Sequence, residues 1–221
     1  MRPWALLAAA LAAAPAAAAA QDFADRGVLV MERGGAETGR IEFALRRSGQ
    51  GLLLISATRT PARSLDVALE LSADSVPVSF QQTETVAGRV VRRVSATVSG
   101  HRFSARASST EVEVTRELPV SVPLLILGDE DYAALMLLPR PDSGALRTVT
   151  VIRAGDLSAT VAQVVGGGAD SVRVRGRELP CRRLTLRFPE GEERQFWLSA
   201  DGRLLKVRVP ALGLTLTRAE I

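Results

Sequence analysis

The sequence predicts an all-β protein: an antiparallel curved sheet or incomplete β-barrel of about ten strands, with one short helix. Three observations predict it. Apolar residues recur at every second position along most of the chain, the period of a strand with one buried face. Turn-forming residues separate these runs at the regular spacing of a sandwich or barrel. A single cysteine, Cys181, in 221 residues leaves burial rather than internal disulfides to hold the fold.

Residues 1–20 read as an export leader. Met1-Arg2-Pro3-Trp4 is positively charged, and a run of 16 small apolar residues follows from Ala5 to Ala20, interrupted only by Pro15. The run ends in Ala18-Ala19-Ala20 before Gln21-Asp22, a small-residue cleavage pattern, and falls short of the ~20 residues a membrane span needs. The expected organisation is a signal peptide over 1–20 and a single β-domain over 21–221. That domain divides into a first meander (21–117), a proline-framed segment with a short helix (118–144) and a second meander (145–221). The expected localisation is exported, periplasmic or extracellular.

Alternation then marks the strands. Ile41, Phe43 and Leu45 share a face, as do Leu65, Val67, Leu69 and Leu71 against Asp66, Ala68, Glu70 and Ser72. Val172 and Val174 alternate with arginines, and Leu184, Leu186 and Phe188 with Arg183, Thr185 and Arg187. Leu205, Val207 and Val209 follow, then Leu212, Leu214 and Leu216. This is the pattern of antiparallel strands with one face wet. Gly34-Gly35, Ala87-Gly88, Ser99-Gly100, Gly166-Gly167-Gly168 and Asp201-Gly202 read as turns. The last has the residues of a two-residue hairpin, and the glycine triplet reads as a hairpin tip. From Leu118 to Gly144 alternation fails. Pro119, Pro123, Pro139 and Pro141 frame an apolar stretch in which Asp129 is suited to cap a short helix. Glu130 and Asp131 favour its positive end, and Tyr132, Leu135 and Met136 fall at helical spacing.

Charge excludes a nucleic-acid binder. Residues 21–169 hold 16 basic and 17 acidic side chains and residues 170–221 hold 11 and 7, so the excess is small and confined to the end. A transmembrane barrel requires an outward apolar band with aromatic girdles, whereas aromatics are 4% here and the outward positions carry Arg, Glu and Asp. The outward arginines of the last quarter solvate a strand face and blunt an edge.

Reactive chemistry has few candidates. His101, the one histidine, starts a strand in phase with Phe103, Ala105 and Ala107. One His and one Cys cannot build a protein zinc site. Asp129-Glu130-Asp131 lacks the spacing and glycine of a calcium loop. Cys181 reads as a passive thiol beside Arg182 and Arg183. No catalytic residue, metal site or cofactor is therefore expected, and the chain is not expected to be an enzyme. Gln195-Phe196-Trp197-Leu198 is bulky on both faces, so the helical segment or a ligand must cover the second one. Tyr132, Leu135, Met136, Phe103 and Trp197 are accordingly the candidate ligand-binding residues, with residues 129–138 as a cover.

Several short motifs carry a resemblance. They are Gly39-Arg40-Ile41-Glu42-Phe43 early in the chain, Trp197 before Asp201-Gly202-Arg203-Leu204, and a final strand after Val209-Pro210. The chain resembles exported bacterial β-proteins of uncharacterised families. At fold level it is similar to the envelope lipoprotein carriers, half-open barrels that shelter acyl chains under a helical lid. The resemblance implies a role in binding or carrying a hydrophobic ligand or lipid in the cell envelope. The alternative is a non-catalytic structural or interaction protein, without a ligand cavity, whose partner is an envelope protein.

Overall fold

Consecutive strands of the structure, a computed structural model that describes residues 23–220, pair with one another, except β8 and β9. The leader expected at 1–20 lies outside the described residues. The first meander contains β1 (Phe23–Arg33), β2 (Ala36–Ser48), β3 (Gly51–Arg59), β4 (Arg63–Leu71), β5 (Pro77–Val86), β6 (Arg89–Ser99), β7 (Arg102–Ser109) and β8 (Glu113–Pro119). The second contains β9 (Leu124–Leu127), β10 (Leu146–Arg153), β11 (Ser158–Val174), β12 (Arg177–Arg187), β13 (Glu193–Ser199), β14 (Leu204–Val209) and β15 (Leu214–Arg218). All belong to one 15-stranded sheet, ordered β8 to β1 and then β15 to β9. The expected ten strands understate this, although the all-β class and the open curved sheet agree.

The two meanders meet where the first strand pairs with the last. Leu29 lies opposite Arg218 and Arg33 opposite Leu214. All pairs are antiparallel except β9 with β10, because the chain crosses from β8 to the far edge and runs back through the interior before β10 begins.

The two free edges are treated differently. Six of the seven β8 residues are exposed, whereas all four of β9 are buried. On β10, Val149 to Ile152 are also buried without alternation, so both faces are covered. The sheet is thus a roll, with the β9 edge tucked inside near β5 and the β8 edge outside. The outer edge is blunted by Arg102–Glu117 and Arg106–Glu113 pairs and by Pro119, devices that discourage strand addition.

The segment between β9 and β10 fills the roll. It turns at Gly128–Asp131, forms a short 3₁₀ helix over Ala133–Leu137 and leaves through Pro139 and Pro141. Ala133 and Leu135 are 0% exposed, and both belong to the same continuous core as Phe80, Phe103 and Phe196. Burying one such leucine contributes about 1.5–3 kcal/mol.

Two local expectations are corrected. Gly166-Gly167-Gly168 is a bulge inside β11 where the register shifts between Gly166 and Ala169, rather than a hairpin tip. A Cβ on Gly166 would lie 2.0 Å from the Asp142 carbonyl oxygen, and one on Gly167 2.4 Å from that of Arg183, so close backbone approach demands glycine here. Asp201-Gly202 sits in a longer loop, where Gly202 N–H bonds Ser199 O at 2.9 Å and Arg203 O receives Ser199 N–H at 3.0 Å. Only Gly202 of the pair takes positive φ, +87°, as in a hairpin with a left-handed third residue.

Candidate functional site

At one end of the roll the acidic residues tie the inner segment to four strands. Asp131 is 1% exposed; Ser56 Oγ on β3 donates to its carboxylate at 2.6 Å, and the Ala133 N–H donates at 3.1 Å. Gln82 on β5, buried, donates to Asp129 at 3.1 Å and accepts the Asp129 N–H at 3.2 Å. Arg92 on β6 donates to Asp129 at 2.9 Å and to the Ala154 carbonyl at 2.8 Å. Arg63 on β4 bridges Glu130 at 3.0 Å and Glu84 at 2.7 Å. The helix-cap expectation is therefore corrected. Tyr132, not Asp129, occupies the N-cap position, and it makes no side-chain cap bond. The acidic triplet is a latch between layers.

Asp131 gives the latch a pH dependence. Burial pushes its carboxyl above the usual carboxylate range, against the opposing pull of Ser56 and the Ala133 N–H. A carboxyl whose pKa is higher folded than unfolded stabilises most below its unfolded value, and that contribution is lost as pH rises through the folded value. Asp131→Asn removes this dependence. Its stability relative to the parent is expected to rise between about pH 3 and pH 7, read from urea midpoints at both. A flat difference would mean that water reaches Asp131.

Beside the latch, Phe188 lies between two guanidiniums. Arg153 is 4.6 Å from its centroid and Arg194 is 5.2 Å away. Arg194 also lies 5.6 Å from the Tyr132 ring and pairs with Glu192 at 2.9 Å. Burial raises the Tyr132 phenol above its ordinary value, opposed by the Arg194 charge.

The residues read as candidate ligand contacts divide into two places. Tyr132, Leu135, Met136 and Phe103, each at most 4% exposed, pack together in the main core. Trp197 faces the other way, between Phe196 and Leu198, and belongs to a second cluster with Val172, Val174, Cys181 and Leu205. The far end of the β11–β12 hairpin makes this cluster. Bent at the glycine bulge, it folds over the outer face of β13 and β14 and is held by Arg175 to the Ala219 carbonyl (2.6 Å) and Glu220 (2.9 Å). Trp197 Nε1 donates to Asp170 at 2.8 Å. The second face of β13 is thus covered by the chain's own hairpin, and Trp197 shares no cavity with the other four.

His101 is exposed at the β6–β7 turn, where its carbonyl accepts the Val120 N–H at 2.8 Å. Burial raises the Cys181 thiol above its ordinary value, Asp170 adds to that rise and Lys206 opposes it, so the thiol stays protonated. Among the described residues no group of three or more His, Cys, Asp or Glu could hold a metal ion, and no helix is long and apolar enough to cross a membrane.

Open space lies outside the filled interior. One depression, about 860 Å³, crosses β1–β3, where Val28, Ala44, Ile55 and Ala57, which alternate with core residues, line it together with buried Asp25, Phe43, Ser56 and Arg218. A second, about 370 Å³, opens at the end of the roll away from the latch. Arg140 and Arg182 line it together with Pro180, Leu184, Leu198 and Ala200. Arg140 lies against Gly202, where a Cβ would sit 2.2 Å from one of its guanidinium nitrogens. Arg182 spends two donors on the carbonyls of Gly167 and Pro141. Neither arginine has a carboxylate within ion-pair distance among the described residues, unlike Arg63, Arg92, Arg153 and Arg218. Local rules do not single out these two, because what distinguishes them is that they reach one pocket from distant segments.

No family model matches the chain, and no curated protein matches it. Among solved structures it is similar to the crystal structure of a beta-barrel-like protein of domain of unknown function DUF1849 from Brucella abortus. The TM-score is 0.54 at 12% sequence identity, over 89% of this chain and 95% of that one. At that identity the likeness shows the fold: one curved, barrel-like β-sheet, shared with a protein whose function is itself unknown.

Proposed function

We propose that this is an exported, non-catalytic interaction protein of the cell envelope, a filled β-scaffold that recognises its partner at the surface and carries no ligand in its interior. One observation supports this over a lipid carrier: the space a carrier would offer to acyl chains is taken by the protein's own residues 124–138, of which Leu135 is 0% and Met136 4% exposed. The leader pattern of residues 1–20 supports export. The scarcity of grouped titratable side chains outside ion pairs supports a role without catalysis.

A neutral, apolar fluorophore tests the interior. The purified protein is expected to show no saturable binding of N-phenyl-1-naphthylamine, while a photocrosslinker placed at exposed Ile55 or Val161 captures one discrete partner in envelope preparations. Saturable uptake of the fluorophore, lost when Met136 is replaced by a bulkier Trp, would replace this reading with that of a carrier.

A further inference from the structure

We propose that the pocket at the end of the roll away from the latch binds a small anionic amphiphile. Its oxyanion head is held by Arg140 and Arg182, and a medium-length apolar chain lies along Pro180 and Ala200, over the buried Leu184 and Leu198. This goes beyond the scaffold reading and does not depend on it.

The charge is the first reason. Several arginines of the roll answer a carboxylate. Arg59 meets Asp66, Arg173 meets Glu178, Arg187 meets Glu193 and Arg203 meets Asp201. Arg140 and Arg182 line one pocket and have no such partner among the described residues. The carbonyls that Arg182 bonds orient it without neutralising it, so the pocket keeps two positive charges. Arg140 is exposed and Arg182 half-buried, and an oxyanion placed between two guanidinium forks is held by both through charge-assisted hydrogen bonds. Two acidic residues close in sequence are otherwise disposed: Asp201 pairs with Arg203 at 2.8 Å, and Asp142 lines a neighbouring depression that Arg140 also borders, beyond ion-pair distance of it.

Preorganisation is the second. Arg140 stands between Pro139 and Pro141, whose rings fix φ on both sides. Its guanidinium lies over Gly202, a buried position where any Cβ would displace it. Pro141 is itself tied by Arg182, so the two arginines share one anchored segment. Donors already in place bind an anion at lower entropic cost.

Shape is the third. The rest of the lining is exposed Pro180 and Ala200, half-buried Ser199, and buried Cys181, Leu184 and Leu198 at the base. The volume, about 370 Å³, sits at the small end of the range of about 300–1,000 Å³ for ligand sites, which limits the chain to medium length. The shared chemistry is a carboxylate or phosphate monoester joined to an aliphatic chain, as a fatty acid or a lipid fragment would present it.

Calorimetric titration with decanoate, decanol and inorganic phosphate tests the assignment. Decanoate is expected to bind saturably at one site, with decanol and phosphate each at least about tenfold weaker, as loss of a charge-assisted fork or of the apolar wall requires. Arg140→Gln and Arg182→Gln are each expected to weaken decanoate by about tenfold or more. Arg183→Gln removes the same charge one residue along, from the outer face, and is expected to leave affinity unchanged. Arg140→Gln breaks no main-chain contact, so it carries the test even if Arg182→Gln does not fold. The proposal is overturned if decanoate does not bind, if decanol or phosphate binds as tightly, or if Arg140→Gln binds as the parent does. An equal loss in Arg183→Gln would overturn it too, by showing diffuse attraction. None of these failures would fill or empty the interior, so the scaffold reading stands or falls by its own experiment.

Discussion

Replacing Arg218 with Ala is expected to lower the unfolding free energy by about 3–5 kcal/mol, because it strands a buried carboxylate. Arg218 ends β15 and Asp25 is the third residue of β1, 193 residues apart, and their side chains are 2% and 7% exposed. The pair is bidentate, Nη2 to Oδ1 at 2.8 Å and Nη1 to Oδ2 at 3.1 Å. The other donors are also used: Nε on the Glu220 carbonyl at 2.6 Å, Nη1 on that of Leu204 at 3.2 Å and Nη2 on that of Arg26. Phe43 lies beneath, 5.5 Å from the guanidinium carbon. Removing the arginine therefore leaves a charge and three carbonyls unanswered, and desolvation of the survivors dominates the loss. For a chain of this length the melting temperature should fall on the order of 10 °C. Because the pair is buried, the loss should be nearly the same at low and high salt. Asp25→Asn should cost less, since the amide still accepts one bond, and the double variant should lose less than the sum of the singles. Urea unfolding of the four proteins measures all of this. A loss below about 1 kcal/mol, in the range of exposed pairs, would show that the seam between the meanders is wet.

How far the sequence discloses this fold depends on how local the cause is. The alternation of Leu65, Val67, Leu69 and Leu71 is a property of β4 alone, and all four are buried while Asp66 and Glu70 are exposed. Strands whose burial is set from elsewhere leave a weaker trace. β8 has no buried face because it is the outer edge, so its pattern is polar throughout. β9 is buried on both sides because the roll encloses it, so it reads as an apolar run between prolines. On β5 and β6, Gln82 and Arg92 stand on the inward face among apolar residues, which blurs the period. They are inward because Asp129, 47 and 37 positions away, comes to meet them.

The candidate residues follow the same division. Tyr132, Leu135 and Met136 are inward as the spacing of the segment implies, but spacing does not distinguish a wall that faces a cavity from a plug that fills one. That depends on how tightly fifteen strands roll around it. Trp197 joins them by sequence because its strand is bulky on both faces. The cover it needs comes from Val172 and Val174, and only because three consecutive glycines let β11 bend where backbones approach closely. The arginine pocket leaves no local trace at all. Pro139-Arg140-Pro141 reads as a helix stop, and its meaning arises where Gly202 and Arg182 arrive from the second meander.

Leu135→Ala puts the filled interior to the test. Leu135 is 0% exposed on the 3₁₀ turn that crosses the roll, packed in the core with residues of both meanders. Its truncation is expected to cost about 2–5 kcal/mol, the lost transfer energy plus a cavity term, because a sheet hydrogen-bonded on both sides collapses little. The cavity that remains is apolar and therefore dry. Small apolar solutes such as benzene should then raise the melting temperature of the variant, by binding the folded state alone, and leave the parent unchanged. The contrast matters more than either number. A carrier whose inner segment swings aside would already offer its interior to benzene, and parent and variant would be stabilised alike. A plug that is part of the core holds the solute only where a side chain has been removed. If Leu135→Ala costs less than about 1 kcal/mol while both proteins respond to benzene, the segment is a lid over an open interior, and the scaffold reading fails with it.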